Sequence, residues 1–123
     1  MRLLLDSHVF LWFLTKDAKL SERADSAIVD ATDVYLSHAA VWEMTIKRSL
    51  GRLRLAEAPE DMAEASGMSL LPITLPHIQR VGGLPRHHGD SFDRMLIAQA
   101  IEEGLVLVTG DATVQRYPVA WLW

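Results

Sequence analysis

The sequence predicts an α/β fold, a three-layer α/β/α sandwich with a central parallel sheet. Three observations carry that reading. The strand-like runs, Leu3-Leu4-Leu5 and Leu105-Val106-Leu107-Val108 above all, are continuously apolar, the pattern of strands buried on both faces. Segments with helical character separate the runs, as crossover helices separate parallel strands. A length of 123 residues, 50% of them hydrophobic, is enough for one domain around one sizeable core and too short for two.

The elements follow in order. Residues 3–5 form a buried strand that ends at Asp6. Residues 7–14, carrying Phe10, Trp12 and Phe13, read as a short helix. Ser21, Asp25, Ile28 and Val29 place a second helix over 21–31. Residues 34–37 are the second strand, and a helix over 39–50 stops at Gly51. Pro59 suits a first helical turn, and the acids after it complement the helix dipole, so a helix covers 59–66. A third strand spans 69–73. A short helix over 75–81 ends at Gly82-Gly83. The clearest helix covers 91–103 and is closed by Gly104. The strand at 105–108, a helical turn over 112–116 and a final strand over 119–123 complete the chain. No repeat, low-complexity tract or linker divides it, so residues 1–123 are one domain; the loops near 55–60 and 82–90 read as its loosest segments.

Composition narrows the function. There is no cysteine, which removes disulfides, thiolate zinc sites and cysteine nucleophiles, and fits a cytoplasmic protein. The apolar run at 9–14 is far too short for a membrane span, so no membrane association is expected. A formal net charge of -4 argues against gripping nucleic acid over the whole surface. Placement matters more than the sum, because seven of the twelve basic residues lie between positions 47 and 94. Lys47, Arg48, Arg86 and Arg94 are candidates for a local phosphate-binding rim, with solvated helix ends as the plainer reading.

The acids carry the chemistry. In an open parallel sheet, sites form outside the carboxyl ends of the strands. Asp6 ends the first strand, Asp111 follows the 105–108 strand, Glu43 lies early in the helix after the second strand, and Asp90 and Asp93 open the helix at 91. Three have a modest explanation of their own: Asp90 as an N-cap, Asp93 in a first turn, Asp111 in a turn after Gly110. Asp6 resists one, since a carboxylate directly after Leu-Leu-Leu is partly buried and needs partners. Carboxylates gathered at one edge repel each other unless a cation joins them. Oxygen ligands alone favour Mg2+ or Mn2+ over zinc. Such an ion suits phosphodiester hydrolysis.

Three stretches, "LLLDSHVFLWFL", "SHAAVWEMTIKRSLGRL" and "HHGDSFDRMLIAQAIEEGLVLVTGD", occur in that order. Together they resemble the PIN-domain nucleases over essentially the whole chain, and in particular the VapC-like toxins of bacterial toxin–antitoxin pairs. The resemblance implies a parallel α/β/α fold and metal-dependent RNA cleavage, with Asp6, Glu43, Asp93 and Asp111 as the metal-binding catalytic acids. It adds Asp90 as an assisting acid, and Ser7 and Thr109 as hydroxyls that orient ligands or water. Ser91 stands where a related subgroup often has proline, a departure that leaves the acids intact. The resemblance also implies an RNA substrate, a small VapB-like antitoxin that reaches into the acid pocket, and a homodimer. Trp12, Phe13, Trp42, Trp121 and Trp123 are available as apolar surface for such assembly or as core.

Two other readings compete. A receiver-like signalling module would need adjacent acids after the first strand and an aspartate ending a middle strand, whereas Asp6 has no acidic neighbour and Ile73-Thr74 offers none. A catalytically inactive PIN-like RNA-binding protein would have lost acids that are all present here. His87 and His88 read as solvent-exposed loop residues, and His8 and His38 as packing or hydrogen-bonding groups rather than metal ligands.

Overall fold

A computed structural model describes residues 1–123. Strand β1 (Arg2–Leu5) leads into α1 (Ser7–Thr15) and α2 (Glu22–Asp30); β2 (Asp33–Ser37) into α3 (His38–Ser49) and α4 (Pro59–Ala65). Strand β3 (Ser69–Leu71) precedes α5 (Leu75–Gly82) and α6 (Ser91–Glu103). Then come β4 (Val106–Val108), a 3-10 turn (Val114–Arg116) and β5 (Trp121–Leu122). The five strands are all parallel, in the order β3-β2-β1-β4-β5. The three-layer sandwich expected from the sequence is therefore the one that forms. A receiver-like order, 2-1-3-4-5, is not.

Strand geometry builds the two outer layers. Successive side chains point to opposite faces, so Leu3 and Leu5 pack with Val9, Phe10, Ala24, Ile28 and Met44 of α1, α2 and α3. Leu4 points the other way, into Leu96, Ile97, Ala100 and Tyr117. All three leucines are completely buried, each contributing on the order of 1.5–3 kcal/mol. That anchoring makes the end of β1 a rigid mount for whatever follows.

Three strands are shorter than their sequence patterns, β4 by Leu105 alone, whose N–H closes α6 on the Ala100 carbonyl at 2.9 Å. β3 stops at Leu71 because Pro72 has no N–H to extend the ladder. β5 starts late because Val119 N–H donates to the Tyr117 carbonyl at 2.8 Å, a tight turn that holds it off the sheet. Behind the sheet, a buried polar chain ties α6 to its neighbours. Gln99 accepts from Ser37 Oγ and donates to the Pro72 carbonyl at 3.3 Å. His77 Nδ1 accepts from Thr74 N–H at 3.0 Å, so its Nε2 carries the proton donated to Glu103 at 2.8 Å. No helix is long and apolar enough to cross a membrane.

Candidate active site at the sheet's switch point

The strand order reverses between β1 and β4, the place where open α/β sheets leave a crevice for ligands. Asp6 follows β1 there. Its N–H donates to the Val108 carbonyl at 3.2 Å, and it serves as N-cap of α1, Oδ1 accepting from His8 N–H at 2.8 Å. Its other oxygen, Oδ2, accepts from Thr109 Oγ1 at 3.1 Å. Thr109 is fully buried, and the same Oγ1 accepts from Asp111 N–H at 3.2 Å. One hydroxyl therefore fixes the first and last acids together. Asp111 meanwhile caps the turn after it, accepting from Thr113 N–H at 2.8 Å.

Glu43 comes from α3 and accepts from the buried Ser7 Oγ at 2.9 Å. The first residue of α1 thus steers the acid of another helix. Lys47, one turn on, brings Nζ to 3.7 Å from Glu43 Oε2. Asp90 caps α6 by accepting from Asp93 N–H at 2.9 Å, which sets Asp93 in the first turn. The result is convergence. Asp6, Glu43, Asp90, Asp93 and Asp111, from four separate segments, line one cavity of about 380 Å3 with Lys47. Trp123 walls it from one side, lying so close over Gly110 that a Cβ there would stand 2.7 Å from the indole. Only glycine permits that approach.

The electrostatics match the crowding. The Asp93 carboxyl is raised from 3.8 to about 6, first by burial, then by the negative charges of Asp90 and Asp6, with His88 opposing. No three acidic or histidine side chains are gathered into a ready-made coordination sphere. Mg2+ does not require one, because it keeps several waters and takes one or two carboxylates directly. An all-oxygen donor set crowded at one cavity fits a hard divalent cation. Asp6, Glu43, Asp93 and Asp111 are the residues that would hold it, in part through water.

The basic rim needs correction. Arg94 is not available to nucleic acid. It is only 6% exposed, and its guanidinium donates to the carbonyls of Pro85 at 2.8 Å, Val81 at 3.2 Å and Leu84 at 3.5 Å, and to Tyr117 Oη at 3.1 Å. It fastens the 82–90 loop that composition marks as loose. Arg48 is exposed, yet it spends one donor on the Leu55 carbonyl at 3.2 Å. Lys47 sits on the acid cavity itself, and Arg86 is exposed on a neighbouring one.

His88 also departs from expectation. It is a bridge rather than a solvent-exposed loop residue. Nδ1 meets Tyr117 Oη at 2.8 Å and Nε2 meets Asp93 Oδ2 at 3.2 Å. Tyr117 is thus shared by Arg94 and His88, and the network reaches an acid of the cavity from behind. The nearest sequence signal is the position of His88 five residues before Asp93; Tyr117 lies too far along the chain to be paired by inspection. His8 is exposed, stacked on Trp12 at 5.7 Å, with Nδ1 3.8 Å from Asp6. His38, opening α3, is exposed as well.

Fold and cavity together define a doubly wound α/β protein with an acidic site at its topological switch point. The chain belongs to the PIN domain family, whose model matches residues 3–120. It is 29% identical to Ribonuclease VapC22 of Mycobacterium tuberculosis, over 93% of this chain and 90% of that one. Its fold is shared with VapBC2 of Rickettsia felis bound to a promoter DNA fragment, at a TM-score of 0.74 and 14% identity over 99% of this chain and 98% of that one. DNA-bound VapBC of Salmonella typhimurium is a further likeness, at 0.67 and 16% identity over 99% and 97%.

Proposed function

We propose that this chain is a Mg2+- or Mn2+-dependent endoribonuclease that hydrolyses RNA phosphodiester bonds, acting in the cytoplasm as the toxin of a toxin–antitoxin pair. The observation that carries the reading is the convergence of five carboxylates from four segments on one cavity, with Asp93 raised by burial there and by its acidic neighbours. A relative named as a ribonuclease, and structural neighbours that are VapBC complexes, support the class and the partner. The same negative cavity is a natural receptor for a basic side chain, so a VapB-like antitoxin would block the site by supplying one.

Each residue has a part. Asp6, Glu43, Asp93 and Asp111 would hold the ion, and Asp90 adds negative potential beside them. A bound Mg2+ or Mn2+ lowers the pKa of a water nucleophile and polarises a phosphate oxygen. Thr109 keeps the Asp6 and Asp111 segments in register, and Ser7 sets the Glu43 carboxylate. Lys47, at the cavity wall, offers a cation to a non-bridging phosphate oxygen as charge develops on it. His88 holds the Asp93 carboxylate from the protein side.

The test is cleavage of labelled RNA by the purified chain with Mg2+, Mn2+ or EDTA, beside Asp6→Asn. Wild type should cut only with metal, and Asp6→Asn should lose about 100-fold or more while keeping its fold. Cleavage in EDTA, or full activity of folded Asp6→Asn, would overturn the reading.

A further inference from the structure

Next to the acid cavity lies a second one of about 540 Å3, between α3, α5 and α6. Trp42 and Phe92 form its aromatic wall, and Arg86 contributes the cation used below. We propose that this cavity is a subsite for one unpaired nucleobase of the RNA, beside the scissile phosphate. The proposal rests on the ribonuclease reading and adds the state of the substrate, single-stranded at that position, and the side chains that sense it.

Register places the subsite. Trp42 directly precedes Glu43 on α3, and Phe92 directly precedes Asp93 on α6. On both helices, the turn that delivers an acid to one cavity delivers a ring to the other. The aromatic wall is therefore set by residues adjacent in the chain to two of the acids that would meet the phosphate. The rings are also poised for stacking. They meet edge to face, with centroids 5.0 Å apart and planes at 73°, which leaves a ring face open. Trp42 remains 60% exposed although its helix neighbours Ala39, Ala40 and Met44 are buried. Exposed rings that stack on splayed bases are how single-stranded RNA is bound.

Charge fits the same occupant. The acid cavity repels phosphate wherever no cation intervenes. Arg86 is exposed at the rim of the aromatic cavity and makes no hydrogen bond or ion pair within the chain, so its guanidinium is free for a flanking phosphate. The volume lies within the ordinary range of small-ligand pockets, roughly 300–1,000 Å3. Ile46 and Leu50 extend the exposed apolar line from Trp42 along α3, away from the acids. A second copy of the chain is thus the rival occupant, and the experiment separates the two.

The experiment is fluorescence anisotropy of labelled single-stranded RNA with the full chain in Ca2+ without Mg2+ or Mn2+, so that a hard cation can join phosphate to the acids. It compares wild type, Trp42→Ala, Trp42→Phe and Arg86→Gln, on an intact oligonucleotide and on versions abasic at each position in turn. Sedimentation without RNA accompanies it, and circular dichroism checks each fold. Trp42→Ala should bind about ten-fold more weakly or worse, and Trp42→Phe should stay within roughly three-fold of wild type, because a stacking face survives. One abasic position should erase the difference between wild type and Trp42→Ala. Arg86→Gln should lower the salt dependence by about one phosphate contact. Unchanged affinity of folded Trp42→Ala, or a loss equal on every abasic oligonucleotide, overturns the proposal. So does a Trp42→Ala effect confined to the sedimenting mass, which would give this face to a second copy. Base-dependent binding by a wild-type chain that fails to cleave with Mg2+ would leave the subsite standing and remove the nuclease reading instead.

Discussion

Replacing Asp93 with asparagine should stabilise the metal-free protein, and only above mildly acidic pH. The Asp93 carboxyl is raised from 3.8 to about 6 by burial and by Asp90 and Asp6. A carboxyl raised in the folded state keeps its proton there while the unfolded chain releases it. The favourable contribution is therefore complete below about pH 3.8, is lost as pH rises towards about 6, and is absent above that. The ceiling on this penalty is ~3 kcal/mol. The side chain keeps 23% of its surface in water, and solvent screening brings the expected effect to about 1–2 kcal/mol. Asparagine has the same shape, stays neutral, and can still accept from His88. Thermal unfolding in EDTA should show Asp93→Asn melting roughly 3–6 °C above wild type at pH 7.5, with the gap closing by pH 4. A variant no more stable than wild type at pH 7.5, or a gain that ignores pH, would refute the claim that burial and the neighbouring acids together disfavour the Asp93 carboxylate in this cavity.

Two more expectations follow from single contacts. Arg94→Met keeps bulk but removes the guanidinium donor from three carbonyls and from Tyr117 Oη, of which only Val81 and Tyr117 keep a backbone N–H. It should cost ~2–4 kcal/mol in urea denaturation and loosen the 82–90 loop in hydrogen exchange, with no change in the salt dependence of RNA binding. Thr109→Val removes the hydroxyl shared by Asp6 and Asp111. Calorimetric Mn2+ titration should then show roughly 10- to 100-fold weaker binding, while the variant stays folded in circular dichroism.

Much of this was legible in the residues, for physical reasons that can be named. Leu3-Leu4-Leu5 followed by Asp6 already describes a strand buried on both faces that delivers a carboxylate at its end. Asp90 and Gly104 bracket α6 because capping is local chemistry, and both act as caps in the fold. What stayed hidden depends on pairing across long separations. Ser7 and Glu43 lie 36 residues apart, and Thr109 and Asp6 lie 103 apart. Their hydroxyls could be suspected from position but not matched to a partner. Arg94 shows the sharper limit. Beside an acid in sequence it resembles a phosphate ligand, yet helix periodicity turns it away from Asp93, into the core, where Pro85 and Tyr117 accept its hydrogen bonds. His88 was misjudged for the matching reason, since the tyrosine that orders it lies 29 residues downstream.

The central claim is that Asp6 and its partners share one divalent cation at the β1/β4 switch point. The most direct measurement is Mn2+ binding followed by electron paramagnetic resonance, comparing wild type with Asp6→Asn. Wild type should bind Mn2+ in competition with Mg2+, and Asp6→Asn should bind at least about ten-fold more weakly. Equal Mn2+ binding by the two proteins, or none by a folded wild type, would contradict the account.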